Sequence, residues 1–238
     1  MSKLLLFIAV LLTAVGSFAQ DAGVPIEPKS ENPGAAPPEI HFTLSFPGGT
    51  PPFYTIAVES TGRAEYKSTP DANNAGDPYL VEFVASEPTR ERLFELARQL
   101  NFFDGDFDYT KTKVAFTGTK TLTFKNGAQE HTTSYNWSQT PQIQEITQIF
   151  QNISNTVEMG RQLQEKYRYD KLGVNSILTS MESEAKDDRL AELQILQPLL
   201  TRMSKDTSLM NISRRRADFL LSKIPPGTAI SSPAPKQQ

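Results

Sequence analysis

The chain of 238 residues contains no cysteine, which excludes disulfide scaffolds, thiolate zinc sites and thiolate nucleophiles. Histidine is almost as scarce: His41 and His131 are the two in the sequence, whereas acid–base and nucleophilic catalysis most often uses one. The sequence also lacks a nucleophile elbow, a histidine–glutamate metal pair and a phosphate-cradling glycine loop. We therefore interpret both histidines as surface strand residues and expect no enzymatic activity.

Concentrated positive charge is scarce as well. The net charge is −3 and the pI is near 5.5, whereas contacts to nucleic-acid phosphates require a basic surface. We therefore expect no nucleic-acid partner. The tightest basic cluster, Arg214, Arg215 and Arg216, lies in an amphipathic segment. We interpret it as a solvated helix face, and a patch for an anionic partner is the alternative.

Long apolar runs are confined to the amino terminus. Lys3 precedes about twelve largely apolar residues, 4–15, and small side chains follow at Ser17 and Ala19. This pattern is typical of a cleavable secretory signal over residues 1–19, with the mature chain beginning at Gln20 or Asp21. The run is too short to cross a bilayer of roughly 30 Å. We expect a periplasmic or secreted protein with no membrane span and, because no cysteine follows the signal, no lipid anchor.

Proline separates the rest of the chain into a body and two tails. Of the 17 prolines, nine lie in the segments 20–38 and 225–238, which are also rich in alanine, glycine or serine. Both segments lack hydrophobic periodicity and are predicted to be disordered. Residues 39–224 remain as a body that is long enough to bury a hydrophobic core.

The front of the body has the period of β-strands. Apolar runs occupy residues 40–46, 54–58 and 79–85, and residues 63–67 return from a Ser-Thr-Gly turn as the second half of a hairpin. Ser86 is placed to cap a helix over residues 89–103. Further strand segments follow that helix, at Val114 and Phe116, at Leu122 and Phe124, and at 129–135. The predicted order is β-β-β-α-β-β-β over a sheet domain of residues 39–139.

The period then changes to that of helices. Pro141 follows a capping threonine, and apolar residues keep to one face as far as Arg168, which predicts a helix roughly 40 Å long. Three more helical stripes follow within residues 174–220, and Pro198 should kink or restart the middle one. We therefore predict an α+β fold: an antiparallel sheet with one packed helix, then a long helix and a carboxy-terminal bundle in residues 140–224.

Part of the sheet domain resembles a known family. Residues 54–66 read as strand, polar-glycine turn and a second strand ending in tyrosine, and the following helix ends in Leu100-Asn-Phe-Phe103. Over residues 40–153 this pattern resembles a domain-of-unknown-function family of secreted bacterial proteins. The resemblance implies a small α+β module without an established activity. Family members carry cysteines near the first turn, where this chain has Pro47 to Pro52, so no metal or redox site is implied.

Two acidic loops raise the question of calcium, which needs several oxygen ligands from one short segment. Asp104, Asp106 and Asp108 recur at alternate positions, although the turn glycine and the closing glutamate of a calcium loop are missing after them. The second loop, residues 71–76 with Glu82, lacks one ligand and has no flanking helices. For both loops a solvated turn is the preferred interpretation, and calcium is the alternative.

These observations favour a non-catalytic interaction or binding module of the periplasm or cell envelope. A secreted calcium-stabilised domain is the alternative, and a hydrolase of unrecognised type is the third. The partner would meet the exposed sheet face or the helical tail, although packing of the tail within the chain is the stronger expectation. Trp137 could stack on a ligand, but we expect it to lie in the core where the sheet meets the long helix.

Overall fold

A computed structural model describes residues 36–69 and 78–226. The described residues confirm the α+β fold with a helical region at the carboxy-terminal side. The predicted signal peptide, nearly all of both predicted disordered tails, and the loop 71–76 lie outside these residues. The strands are β1 Glu39–Ser45, β2 Phe53–Glu59, β3 Arg63–Thr69, β4 Tyr79–Val84, β5 Thr119–Asn126 and β6 Gln129–Tyr135. The α-helices are α1 Glu87–Gln99, α2 Pro141–Tyr169, α3 Val174–Lys186, α4 Gln197–Lys205 and α5 Asn211–Ser222, and short 3-10 turns occupy Asn101–Phe103 and Leu193–Leu196.

The six described strands form one antiparallel sheet in the order β4-β3-β2-β1-β5-β6. The predicted strand order was wrong, because four strands precede α1 and two follow it. The polar return strand of the hairpin, β3, pairs on both sides and is a full member of the sheet. Its inward residues Ala64 and Tyr66 are buried, and its outward residues are charged, which is why it carries no apolar run.

The strand predicted at Val114 and Phe116 was also wrong. This segment is a loop that is held by a side chain and has no strand pairing. Asn136 accepts a hydrogen bond from the Thr117 amide at 2.8 Å and donates one to the Ala115 carbonyl at 3.0 Å. Phe116 is 58% exposed and packs edge-on against Phe46. Alternation over three residues does not define a strand when a side chain satisfies the backbone groups.

The first helix ends earlier than predicted. Gln99 is the last residue of α1, and Asn101, Phe102 and Phe103 all have positive φ, between 50 and 69°. Left-handed backbone costs an L-residue roughly 1–2 kcal/mol, so packing must hold this turn. Phe103 is fully buried, and the ring of Phe102 lies 4.5 Å from that of Phe124 on the sheet. Apolar spacing in the sequence cannot distinguish such a turn from another helical turn.

The long helix α2 spans two hydrophobic cores, as its predicted length required. Its 29 residues extend about 43 Å, and this length exceeds the length of the strands of the sheet. The first half packs on the inner face of the sheet, where the ring of Phe150 stacks on that of Phe42 at 5.0 Å. The second half, from Leu163, packs against α3, α4 and α5. As predicted, Pro198 lies in the first turn of α4, where the missing amide removes no helical hydrogen bond.

No helix among residues 36–69 and 78–226 has the length and apolar content that crossing a bilayer requires.

At Gly160 the backbone of α2 is in close contact with the side chain of Leu196. A Cβ atom at this position of α2 would lie within 3.3 Å of three side-chain carbons of the buried Leu196. We predict that Gly160→Val lowers the free energy of unfolding by roughly 1–3 kcal/mol, because the inserted carbons overpack a closed contact. Urea denaturation measures the change.

Gly48→Val is the matched control, since its Cβ would meet the Phe46 ring at an ordinary 3.5 Å. A double-mutant cycle between Gly160→Val and Leu196→Ala should show coupling of about 0.5–3 kcal/mol. Strict additivity of the two substitutions would contradict the packing described above.

Candidate interaction surface

The described structure holds one strongly bonded carboxylate between the sheet and α2. Glu158 is 6% exposed, and one of its oxygens accepts hydrogen bonds from the hydroxyls of Tyr66 at 2.8 Å and Ser68 at 2.7 Å. Its other oxygen accepts one from Nε of Arg161 at 2.9 Å. A buried charge is tolerated when its oxygens are satisfied in this way. The cluster therefore fixes β3 against α2.

The tyrosines around Glu158 are unsuited to proton transfer near neutral pH. Burial, and then the neighbouring carboxylate, raises the pKa of Tyr66 well above its ordinary value. Burial also raises the pKa of Tyr79 to about 12, although the guanidinium of Arg161 near its ring opposes the shift. Both phenols stay protonated at neutral pH. The cluster is consistent with a structural role.

We predict that Glu158→Gln lowers the free energy of unfolding by roughly 1.5–3 kcal/mol, the usual value of a hydrogen bond to a charged group. The amide keeps the shape of the side chain but removes the charge that three donors share. Glu165→Gln, an exposed change on the same helix, is the control and should stay within about 0.5 kcal/mol of the parent. Equal stability of the two variants in urea denaturation would refute the anchoring role.

A second buried carboxylate joins the helical region to the start of α1. Glu192 is 6% exposed and accepts hydrogen bonds from both the amide and the hydroxyl of Ser86, each at 2.7 Å. Gln194 also donates to this carboxylate. Ser86 occupies the predicted cap position, but its hydroxyl makes no bond to the helix backbone. Ser86 is bonded instead to Glu192, which lies 106 residues further along the chain.

The two histidines lie on different strands and different faces of the sheet. His41 is on the outer face of β1, between Ala57 and Thr123 of the neighbouring strands, and its ring lies 2.6 Å from Glu39. His131 on β6 is paired with Phe124 and shares a hydrogen bond with Gln129 at 2.9 Å. The structure does not bring them together. That the protein is non-catalytic stays a prediction.

The aspartate trio follows the left-handed turn after α1, and its carboxylates have separate partners. Asp106 accepts a hydrogen bond from the Asp108 amide at 3.1 Å, and Asp108 accepts one from the Asn136 amide at 2.9 Å. Asp104 lies 3.8 Å from the His131 ring. Within the described ranges, no three histidine, aspartate or glutamate side chains are grouped as a metal site would require.

Accordingly, we predict that the melting temperature does not change when millimolar calcium is added. Ligand binding to the folded state would raise it by mass action. An increase that disappears in Asp106→Asn would support the trio as a calcium site. An increase that persists in that variant would direct attention to the loop 71–76 with Glu82.

The core position predicted for Trp137 was wrong. This side chain is 37% exposed, and its ring packs edge-on against Tyr109 at 5.0 Å, outside the contact of sheet and helix. The Trp137 carbonyl accepts a hydrogen bond from the Tyr109 amide at 2.9 Å. The indole therefore covers a loop. The Trp137 amide also donates a hydrogen bond to Asp108 at 3.4 Å, and these contacts with the ring of Tyr109 explain the position of Trp137 without a ligand.

A shallow groove along α1 is lined by alternating arginines and glutamates, and its cations have partners within the chain. Arg92 donates two hydrogen bonds of 2.6 Å to Glu145 of α2, which holds the pKa of that carboxyl below its ordinary value. Arg98 pairs with Glu95 one turn earlier. A groove with internally paired charges offers little to an ionic ligand.

The two most exposed large apolar side chains of the described residues lie at the far end of the helical region. Tyr169, the last residue of α2, and Leu172, in the connection from α2 to α3, are 77% and 79% exposed. Met210 and Ile212, where α5 begins, are 41% and 45% exposed. We call these four residues the apolar tip. Ile212 belongs to the last of the three helical stripes predicted within residues 174–220, and its exposure shows that this prediction was wrong at Ile212.

The two connections that carry the apolar tip are tied side by side. Lys171 of the α2–α3 connection donates hydrogen bonds to two residues of the α4–α5 connection, Asp206 at 3.2 Å and Ser208 at 2.5 Å. Tyr167 donates to the same Asp206 carboxylate at 2.9 Å. Hydrogen bonds from Ser208, Tyr167 and Lys171 hold the pKa of Asp206 far below its ordinary value. The apolar tip is therefore presented by a bonded framework.

The two segments that carry the apolar tip have an excess of positive charge. Residues 165–173 and 202–215 carry seven cationic side chains and three carboxylates, in a chain whose net charge is −3. Arg216 does not contribute, because it is bonded to Glu182 at 2.9 Å and is largely covered. The interpretation of the whole arginine triplet as solvated was therefore wrong at this residue. The seven cations of these two segments are Lys166, Arg168, Lys171, Arg202, Lys205, Arg214 and Arg215. Lys166 and Lys171 are paired with Asp170 and Asp206, so the excess of positive charge comes from the other five.

Comparison of the chain with known proteins adds no relative to this description. No protein family, curated protein or solved structure matches it.

Proposed function

We propose that this protein is an exported, non-catalytic interaction module of the periplasm or cell envelope, and that the apolar tip is the surface that meets its partner. The observation that carries the proposal is the exposure of Tyr169 and Leu172, each more than three quarters open to solvent. Large exposed apolar side chains gathered at one place are typical of interaction sites. The predicted signal over residues 1–19 supports the compartment.

The helical region does not need these side chains for its own folding. Its core is closed by fully buried residues from all four helices, among them Leu163, Leu178, Leu200 and Leu220. The ring of Tyr169 has a contact within the chain, with the guanidinium of Arg168 at 5.8 Å. Polar side chains at Tyr169 and Leu172 would change the free energy of unfolding by about 0.5 kcal/mol at most and would not open that core. Their apolar character is therefore better explained by a contact outside the chain than by stability.

The structure also favours the tip over the sheet face as the binding surface. The outer face of the sheet is largely threonine and charged side chains, and its exposed apolar residues Leu80 and Val84 are separated by Glu82 on the edge strand β4. Charge placed on an edge strand discourages association. At the helical end, Tyr169 and Leu172 are far more exposed than Leu80 and Val84, which are each 42% open to solvent.

We predict that a photo-reactive phenylalanine analogue at Leu172 forms adducts with an envelope component in living cells. The same analogue at Leu80, an exposed leucine of the sheet, should form none. Mass spectrometry of the adducts identifies protein and lipid products alike. Adducts at Leu80 alone would assign the contact to the sheet face, and their absence at both positions would refute the proposed function.

A further inference from the structure

We infer that the partner of the apolar tip is the surface of a bilayer containing anionic phospholipid. This inference rests on the proposed function and specifies its partner. The four apolar side chains would insert among the lipid headgroups, while the surrounding cations contact the phosphates. The binding is peripheral and reversible, and it is distinct from the spanning segments considered above.

The chemistry of the tip matches the boundary between water and acyl chains. Tyr169 combines an apolar ring with a hydroxyl, a combination that is enriched where headgroups begin. Leu172, Met210 and Ile212 have no polar side-chain atom that needs a partner, and they can enter the region about 5–10 Å below the surface. Such insertion needs a few protruding side chains, which is what two neighbouring connections present.

The charge around the tip is complementary to anionic lipid. Two helices, α2 and α4, end here, and basic residues in their last turns also favour the negative end of the helix dipole. That explanation fails for Arg214, which lies in the first turn of α5, where an acidic residue would be favoured. Arg215 follows it and is exposed. Attraction to an anionic surface accounts for the exposed Arg215, whereas Arg214 is half-buried and its Nε is covered.

The small area of the apolar tip favours a lipid surface over a folded protein as the partner. A stable protein interface takes about 20–30 residues from each side and has an apolar centre with a polar rim. The tip offers four exposed apolar side chains near two connections. A membrane surface needs less contact area, because insertion and charge act together.

The bonded framework of the tip makes insertion less costly. Lys171 joins the two connections through Asp206 and Ser208, so the apolar side chains are held near one another before binding. A surface that is already ordered loses less conformational entropy on association. The framework also leaves Arg215 and Lys205 exposed on the same end of the molecule.

Vesicle sedimentation tests this inference. The full chain is produced with its own amino-terminal segment, purified as the cell processes it, and mixed with vesicles of phosphatidylethanolamine and phosphatidylglycerol or of phosphatidylcholine alone. We expect binding to the anionic vesicles that weakens as salt is raised. Leu172→Asp should lower the partition coefficient at least about tenfold, and Arg215→Gln about fivefold on anionic vesicles alone.

Leu80→Asp is the matched control, because it makes the same substitution at an exposed leucine of the sheet, and it should bind like the parent. Thermal melting verifies that all variants are folded. Equal binding to both vesicle types, or binding that Leu172→Asp leaves unchanged, would overturn the inference. Protein adducts at Leu172 without vesicle binding would also overturn it, yet they would support the proposed function. The absence of adducts and of vesicle binding would refute both.

Discussion

The structure depends on the shared packing of a single helix, α2, in two hydrophobic cores. Phe150 in its first half stacks on the sheet, and Leu163 in its second half closes the bundle of α3, α4 and α5. Gly160 lies between these halves and lets Leu196 approach the helix backbone. This continuous helix, together with the bonds between Glu192 and Ser86, fixes the position of the bundle on the sheet domain and so the distance of the apolar tip from the sheet.

Much of the fold follows from two periodicities that a sequence displays directly. Alternation in residues 40–46 and the helical spacing from Ile143 to Leu163 reflect burial on one face, and the structure confirms both. The predictions failed where packing between segments that are distant in sequence determined the backbone conformation. The left-handed turn at Asn101 to Phe103 is held by the sheet, and the loop before β5 is held by Asn136. Neither contact leaves a local pattern.

The candidate surface was harder to predict than the fold. Leu172 falls in a short connection without periodicity, and Ile212 has the spacing of a core residue but faces outward. Whether an apolar helical residue is buried depends on which helix packs against it, and the sequence alone does not identify that helix. The excess of cations in residues 165–173 and 202–215 was visible, but the two segments are distant in sequence and their common location required the fold.

The bond between Glu192 and Ser86 has a consequence for how the molecule loses its structure. Opening the contact between the bundle and the sheet domain would break both hydrogen bonds from Ser86 to the Glu192 carboxylate, and a hydrogen bond to a charged group is worth roughly 1.5–3 kcal/mol. Partial opening is therefore disfavoured relative to complete unfolding. The two cores are expected to melt in a single cooperative transition, so that heat or denaturant populates few half-folded chains in the compartment where the protein works.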